Sequence, residues 1–266
     1  MTPDQIEAAA EALFQADRSG RQIGLLSQVY PEAGLDEAYA VQAALLRRKH
    51  ASGAKAIGWK IGLTSRAMQM ALGISTPDSG VLLEDMAFAD GATVPKGRFI
   101  QPRIEAEIAF VMKSDLKGGA VTRAEVLAAT GYVAPSLEIL DTRIQRTDPV
   151  TGKARTIFDT IADNAANAGI VLGRERHRVD DFDLRWQGAI LKRDGVVEET
   201  GLGAGVLDDP AMGILWLVHR LARYNMGLSA GDIVLSGSFI RPVEAPPGSH
   251  FHADFGAFGQ VSLSFA

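Results

Sequence analysis

The pattern of apolar and polar residues changes near residue 56, and the change predicts two regions. Before it, segments rich in Ala, Leu and Glu predict one helix from Thr2 to about Gly20 and a second from Leu35 to about His50. After it, short runs of Val, Ile and Phe are separated by Gly, Pro, Asp and Asn, which is typical of strands joined by turns. We expect a helical N-terminal segment, residues 1–55, packed as one unit on a mixed-β domain, residues 56–266.

Within the second region the same pattern places individual elements. We expect strands at residues 56–63, 80–84, 103–112, 131–140, 168–172, 184–193, 232–236 and 257–265. Helices are expected at residues 65–72, 122–130 and 209–225, and capping residues precede the first and the last of them. These elements predict an α+β fold, without an internal repeat or a low-complexity linker.

One predicted strand carries charged residues in a regular pattern. In RIEAEIAFV, residues 103–111, every second residue is apolar, so Glu105 and Glu107 project from the same face. A solvated face would explain both glutamates. The stretch continues as an apolar run, however, and the next predicted strand places Glu138 between Leu137 and Ile139. An isolated ionised carboxylate in such a run is costly unless it is paired or binds a metal.

These three carboxylates indicate a site for a hard cation. Mg²⁺ and Mn²⁺ prefer oxygen ligands in octahedral geometry and keep positions open for water or substrate. A bound cation would offset the repulsion between Glu105 and Glu107. The E-x-E spacing alone is a weak signal, because it occurs by chance in many strands. On the residues alone, the solvated face and the cation site both stay open.

The composition limits the class of protein. The chain has 266 residues, 47% of them hydrophobic and 22% charged, which is enough apolar material for a sizeable core. Its net charge of −5 and the lack of a long basic block argue against a nucleic-acid partner. The absence of cysteine excludes disulfides, thiolate catalysis and cysteine-bound zinc. With neither a signal-peptide pattern nor a membrane-spanning apolar run, we expect a cytoplasmic protein without membrane contact.

Three other patterns have weaker functional interpretations. GLGAG, residues 201–205, lacks the spacing and the βαβ context of a dinucleotide-binding loop, and we expect a close turn there. His250 and His252 could form a metal pair, but a strand entering a hairpin explains them better. The chain has no G-x-S-x-G elbow that would support a Ser-His-Asp triad.

Several motifs occur together in a fixed order along the chain: IGWKIGLTS, STPDSGVLLEDM, RIEAEIAF, SLEILDTR, DTIADNAANAG and SGSFIRPV. In these motifs the sequence resembles the 2-oxo-hept-4-ene-1,7-dioate hydratases of homoprotocatechuate catabolism. That family groups with the 2-hydroxypenta-2,4-dienoate hydratases and the 4-oxalocrotonate decarboxylases in the fumarylacetoacetate hydrolase superfamily. The resemblance extends from about residue 25 to the C-terminus. It implies a mixed β-sandwich or roll with peripheral helices.

The resemblance implies roles for five residues. Glu105, Glu107 and Glu138 match the ligands of one divalent ion, Mg²⁺ with Mn²⁺ as the alternative, and Lys60 and Asp78 match residues that face a bound oxo acid. Glycines two residues to either side of Lys60 share its strand face and suggest open space for a substrate. Near metal and apolar walls, we expect the pKa of Lys60 to be lowered toward neutrality. A snorkelling surface lysine and a plain Pro-Asp-Ser-Gly turn are the alternatives.

The implied substrate is a small 2-oxo dicarboxylate, which the enzyme hydrates. Its distal carboxylate needs a cation, and the polar connection 141–159 offers Arg143, Arg146, Lys153 and Arg155. Of these we expect Arg143 to bind substrate, with Ser238 as a second substrate-binding candidate. Ile240 stands where relatives often have a hydroxyl residue, which puts a polar role of that position in question.

Other functions remain open within and beyond this resemblance. Decarboxylation of 2-oxo-3-hexenedioate uses the same metal-chelated dienolate, and hydration of 2-hydroxypenta-2,4-dienoate uses a shorter monoacid. The long 141–159 connection favours the seven-carbon diacid. A metal-binding scaffold for a pathway enzyme is the non-catalytic alternative, although a scaffold has no reason to keep three mutually repelling acids. The resemblance also implies a homo-oligomer.

Overall fold

The computed structural model describes residues 1–66, 69–70 and 74–266. Three N-terminal helices come first: α1 (Pro3–Ser19), α2 (Leu26–Val29) and α3 (Leu35–Ala51). The Thr2 side chain accepts a hydrogen bond from the backbone N–H of Gln5 at the start of α1, and Gly20 ends the helix with a φ of 64°. Both predicted N-terminal helices are therefore confirmed.

An apolar cluster fixes these helices to the rest of the chain. Leu13 of α1 and Leu45 of α3 are buried with Ile144, Phe158 and Ile161, which come from the 141–159 connection and the short helix at its end. The helical segment therefore supports the 141–159 connection. The boundary between residues 55 and 56 stays a prediction.

The remaining chain contains strands and three further described helices. The helices are α4 (Arg123–Ala129), α5 (Ile157–Ala162) and α6 (Pro210–Ala222). The strands are β1 (Ala56–Gly62), β2 (Asp78–Leu83), β3 (Ala87–Phe88), β4 (Thr93–Val94), β5 (Arg103–Met112), β6 (Leu116–Lys117), β7 (Thr130–Leu140), β8 (Asn167–Leu172), β9 (Gly188–Arg193), β10 (Val196–Leu202), β11 (Gly227–Leu228), β12 (Ile233–Leu235), β13 (Val243–Glu244), β14 (His250–Asp254) and β15 (Gln260–Phe265).

The strands form two main sheets. The larger has the order β2-β1-β12-β5-β7-β8-β3, with β13 also paired to β5, and the other has the order β10-β9-β14-β15-β4. Strands β6 and β11 make a separate two-stranded sheet. One buried apolar cluster joins both main sheets, with Ile108 and Leu137 from the first and Phe251 and Leu263 from the second. The predicted α+β fold with mixed β-sheets is confirmed.

Several predicted elements differ from the structure in their bounds. The strand expected from residue 184 begins at Gly188, because residues 183–187 turn through hydrogen bonds such as Trp186 N–H to Asp183 C=O, 2.9 Å. The strand expected from residue 257 begins at Gln260, after a 3₁₀ turn. Helices α2 and α5, strand β10 and the short strands β3, β4, β6, β11 and β13 were not predicted, and β14 was expected only as the strand that carries His250 and His252. The helix expected at 65–72 includes residues that lie outside the described part of the chain.

The sequence predicted no membrane-spanning helix, and the lengths and hydropathy of the described helices can be compared with that prediction. None of them, among the residues the structure describes, combines the length and the hydropathy that a bilayer-spanning helix needs.

Candidate metal centre and active-site cavity

Three glutamates meet on the antiparallel pair β5 and β7. The register places Glu105 directly opposite Glu138 and Glu107 opposite Ser136, so the strand alternation brings the three carboxylates to one face. One oxygen from each carboxylate lies within 4.8 Å of the others. The structure therefore assembles the cluster that the sequence predicted.

The carboxylates of this cluster are enclosed and only partly satisfied. Glu107 and Glu138 are fully buried, and Glu105 is partly buried at the cavity wall. The backbone N–H of Gly237 donates to Glu107 Oε2 at 2.8 Å. Within the described chain, Glu107 Oε1 and both oxygens of Glu138 accept no hydrogen bond. Buried oxygens without hydrogen-bond donors are typical of a cation site, because the bound ion takes the place of the donors.

Burial and mutual repulsion raise the pKa of all three glutamates. Burial and the charge of Glu138 raise the pKa of Glu105 to about 8. Burial, with Glu138 and Glu105 nearby, raises the pKa of Glu107 well above its ordinary value. Burial also raises the pKa of Glu138, although Lys60 opposes the shift. An oxygen-only donor set under such repulsion fits a divalent hard cation, which would remove the penalty on the ionised forms.

Lys60 lies on β1 and points at the cluster. Its Nζ is 3.5 Å from Glu138 Oε1, and its side chain is almost completely buried. Burial alone lowers the pKa of Lys60, but the charges of Glu138, Asp78 and the other glutamates raise it above the ordinary value. Without a cation on the glutamates their charges outweigh the burial, and the lowering expected beside a bound metal stays a prediction. Lys60 is buried rather than snorkelling at the surface.

Asp78 begins β2 and lies directly across from Gly62 of β1. It is buried, and its Oδ1 has no hydrogen-bond partner among the residues described. Burial raises its pKa, against the charges of Lys60 and Arg155. A Cβ at Gly62 would lie 2.2 Å from Asp78 Oδ1 and 3.1 Å from Lys60 Nζ. The space expected above the strand for substrate is thus occupied, at Gly62, by the carboxylate of Asp78.

A cavity of about 630 Å³ connects these groups. Lys60, Asp78 and Glu105 line it together, so an ammonium group, a carboxylate and one edge of the carboxylate cluster face the same space. Its apolar wall includes Ile61, Leu140, Ile157, Ala165, Ala166 and Ile240. Such a mixture of apolar wall and a few convergent polar groups is typical of a small-molecule site.

The two substrate-binding candidates have different locations. Ser238 lines the cavity, but its hydroxyl donates to Ile240 C=O at 2.9 Å and accepts from Ile240 N–H at 3.2 Å. Arg143 is not among the lining residues. Its buried guanidinium contacts Asp163, with Nε 2.5 Å from Oδ1, and donates to the backbone of Asp163 and Asn167. The geometry corrects the expectation for Arg143, because its charge is already neutralised inside the protein.

Ala165 and Ala166 form part of the cavity wall and belong to a turn, residues 164–166, that sequence patterns did not reveal. Asn164, Ala165 and Ala166 all have positive φ, between 51° and 57°. The Asn164 amide donates to Val81 C=O at 2.9 Å and accepts from Val81 N–H at 2.8 Å, so it extends the pairing of β2. Asparagine adopts positive φ more readily than most residues, so Asn164 was the one residue in the sequence that could indicate this turn. The two alanines give no such indication.

The weaker motifs take no part in this site. His250 and His252 lie on β14, where His250 Nδ1 is 2.9 Å from Ser264 Oγ and His252 Nε2 is 3.0 Å from Gln260 Oε1. The GLGAG stretch ends β10 and continues as a 3₁₀ turn before α6. The expected strand and turn are confirmed for these two motifs.

Comparisons with known proteins identify relatives of the chain. No established family profile matches the chain. It is 50% identical over 256 residues to a 2-oxo-hept-4-ene-1,7-dioate hydratase from Escherichia coli, a match that covers 96% of each chain. The solved structure of a 4-oxalocrotonate decarboxylase from Pseudomonas putida G7, complexed with magnesium and adipate, is 32% identical with a TM-score of 0.94, and the match covers 100% of this chain and 99% of that chain.

More distant proteins share the fold. A fumarylacetoacetate hydrolase from Exiguobacterium antarcticum is 12% identical, with a TM-score of 0.58 over 80% of this chain and 75% of that chain, and shares the fold. The identity to the hydratase and the decarboxylase extends over nearly the whole chain. The chain belongs to one family with these 2-oxo-hept-4-ene-1,7-dioate hydratases and 4-oxalocrotonate decarboxylases.

Proposed function

We propose that this protein is a divalent-metal-dependent hydratase that converts 2-hydroxyhepta-2,4-dienedioate, the dienol of 2-oxohept-4-ene-1,7-dioate, into 4-hydroxy-2-oxoheptanedioate. The observation that carries the proposal is the single cavity in which Lys60, Asp78 and the Glu105 edge of the carboxylate cluster meet. The 50% identity to the Escherichia coli hydratase supports the choice of a seven-carbon diacid.

Glu105, Glu107 and Glu138 would hold the cation, because one oxygen of each lies within 4.8 Å of the others and Glu107 Oε1 accepts no hydrogen bond in the described chain. Mg²⁺ is our choice, because the set is oxygen-only, and Mn²⁺ shares these ligand preferences. When bound, the cation stabilises negative charge on the oxygen at C2 of the oxo acid. The Gly237 N–H holds Glu107 in place, since it fixes one oxygen and leaves the other free.

Lys60 and Asp78 would move the protons. The dienol loses the proton of its C2 hydroxyl and gains one at C5, which gives an enone conjugated with the C2 ketone. Lys60, whose pKa the neighbouring carboxylates raise, donates the proton to C5 and regains one from the C2 hydroxyl. Water then adds its hydroxyl at C4, while Asp78 accepts the water proton through Oδ1 and passes it to C3. The sum is the addition of one water.

The first experiment follows the dienol directly. Enzymatically generated 2-hydroxyhepta-2,4-dienedioate is mixed with the protein in Mg²⁺ or in EDTA, and loss of the dienol ultraviolet band is recorded with the product mass. We expect a gain of one water in Mg²⁺, no reaction in EDTA, and recovery after excess Mg²⁺. Repeating the titration with Mn²⁺ compares the two ions. Turnover that EDTA leaves unchanged would contradict the metal requirement.

Decarboxylation is the second candidate, because the 32% identical decarboxylase superposes with a TM-score of 0.94. The same cavity would then hold a six-carbon oxo diacid that loses CO₂. Supplying 2-oxo-3-hexenedioate in parallel separates the two activities. Release of CO₂ from that compound, with the seven-carbon dienol unchanged, would replace the hydratase proposal.

A further inference from the structure

Arg155 is an arginine of the active-site cavity whose backbone is firmly placed. Its N–H donates to the Arg146 C=O at 2.9 Å, and Thr147 pairs with Ala154 in an antiparallel bridge. The next residue, Thr156, donates its N–H to Asp159 Oδ2 at 2.8 Å. The guanidinium is therefore presented to the cavity from a hydrogen-bonded hairpin.

The arginines of the cavity wall differ in how their charge is neutralised. Arg103 Nε lies 2.6 Å from Glu244 Oε1, and Arg241 Nη2 lies 2.6 Å from Glu199 Oε1. Arg155 forms no ion pair with any described residue, and its Nη1 is buried without a hydrogen-bond acceptor there. A buried guanidinium N–H without an acceptor is costly. Burial accordingly lowers the pKa of Arg155, which marks the penalty on its charge.

The cavity therefore offers two complementary features to one ligand. The Glu105 edge of the carboxylate cluster faces it from β5, and the unpaired cation of Arg155 faces it from the hairpin before α5. A 2-oxo acid would place its C1 carboxylate and C2 oxygen at the cation of the cluster. A second carboxylate at the other end of the same molecule would supply the acceptor that Arg155 lacks.

We infer that Arg155 binds the distal carboxylate of the substrate and selects a dicarboxylate over a monocarboxylate of similar length. The inference rests on the proposed function for the identity of the substrate. Arg143, the candidate from the sequence, cannot serve because Asp163 neutralises it away from the cavity.

The test measures ligand binding and does not depend on turnover. Affinities for adipate and for hexanoate, six-carbon acids with two and one carboxylates, are measured by calorimetry on the full chain in Mg²⁺. A charge-assisted contact predicts that wild type prefers adipate by about 10- to 100-fold. In Arg155→Met, which keeps most of the side-chain length, the preference falls to within about twofold. Lys153→Met removes an exposed charge from the same hairpin and keeps the wild-type ratio.

Arg155→Gln is the second variant, and circular dichroism establishes which of the two is folded. An adipate preference equal to wild type in a folded Arg155→Met or Arg155→Gln protein overturns the inference. So does a wild type that binds both acids equally.

Turnover gives a second readout that separates this inference from the proposed function. If the protein is a hydratase, Arg155→Met raises KM for the seven-carbon dienol with little change in kcat, because distal binding is the same in ground and transition states. A loss of kcat at unchanged KM overturns the distal-binding role. If instead no hydration occurs in wild type, the proposed function fails, and the adipate-to-hexanoate ratio still decides the role of Arg155.

Discussion

At the scale of single residues, the carboxylate cluster balances stability against ligand binding. Glu107 is fully buried, one of its oxygens accepts the Gly237 N–H, and the other has no partner in the described structure. Two further carboxylates lie within 4.8 Å. Buried like charges lower the free energy of unfolding unless a counter-charge is present. The favourable packing of the surrounding fold must therefore offset the repulsion within the cluster.

Glu107→Gln tests this balance, because it keeps the shape of the side chain and the acceptor for Gly237. We expect Mg²⁺ affinity, measured by calorimetry, to fall by more than roughly tenfold, since a ligand is lost. In EDTA we expect the same variant to be more stable than wild type, because repulsion among the buried acids is relieved. Its free energy of unfolding, measured by urea titration, should rise by about 1–3 kcal/mol.

Glu84→Gln is the matched control, because Glu84 is exposed and its ion pair with Lys55 is long at 3.9 Å. It should change neither quantity by more than about 0.5 kcal/mol. Wild-type Mg²⁺ affinity in folded Glu107→Gln would remove Glu107 from the metal site.

Residue patterns predicted the cluster but not the partner of the distal carboxylate, for a physical reason. Strand alternation and antiparallel pairing of neighbouring strands fix the faces of Glu105, Glu107 and Glu138 from the sequence alone. The choice between Arg143 and Arg155 depends on which of them meets Asp163, a contact set by how α5 packs. No local sequence pattern in the 141–159 connection predicts the contact between Arg143 and Asp163.

At the scale of elements, the turn at residues 164–166 supports the strand that carries Asp78. Strand β2 is at the edge of its sheet, and the Asn164 amide satisfies both backbone groups of Val81. A Cβ at Gly80 would lie 2.4 Å from the Asn164 C=O, so strand and turn approach closely. The sequence predicted β2 but not this turn, because alanines with positive φ are stable only when tertiary contacts impose the conformation.

Asn164→Ala removes both hydrogen bonds to Val81 and leaves a buried N–H without a side-chain acceptor. We expect the free energy of unfolding, from urea titration, to fall by about 2–4 kcal/mol, and turnover to fall because the start of β2 holds Asp78.

Asn225→Ala separates the hydrogen bonds from the backbone effect. Asn225 also has a positive φ, 61°, but is exposed. We expect it to cost about 1 kcal/mol or less. Equal losses in the two variants would mean that φ, and not the contact with Val81, accounts for the effect.

At the scale of the whole molecule, the Arg143–Asp163 pair joins the helical segment to the site. Arg143 C=O accepts the Ile23 N–H at 2.9 Å, and Ile23 C=O accepts the Gln145 N–H at 2.9 Å. The guanidinium of Arg143 meanwhile holds Asp163, next to the 164–166 turn. The residue pattern predicted that the N-terminal helices pack on the β region. It did not predict the hydrogen bonds between Ile23 and the 141–159 connection or the Arg143–Asp163 pair. The homo-oligomeric state stays a prediction from the resemblance.

Arg143→Met should leave the Asp163 carboxylate buried and unpaired. We expect a loss of about 3–5 kcal/mol in unfolding free energy by urea titration. The adipate-to-hexanoate preference of the folded fraction should be that of wild type, in contrast to Arg155→Met. Arg47→Met, which breaks an exposed pair with Glu7, should cost less than about 1 kcal/mol. A lost adipate preference in folded Arg143→Met would return the distal carboxylate to Arg143.

The short strand β12 has a consequence for the order in which the protein matures. It pairs with β1 on one side and β5 on the other, so it separates the strand of Lys60 from the strand of Glu105 and Glu107. Residues 233–235 leave the ribosome long after both of those strands. A nascent chain therefore carries Lys60 and the glutamates before it has the strand that joins β1 to β5. The three glutamates lie on directly paired strands and can meet earlier, so the step that waits for β12 is the placement of Lys60 beside them.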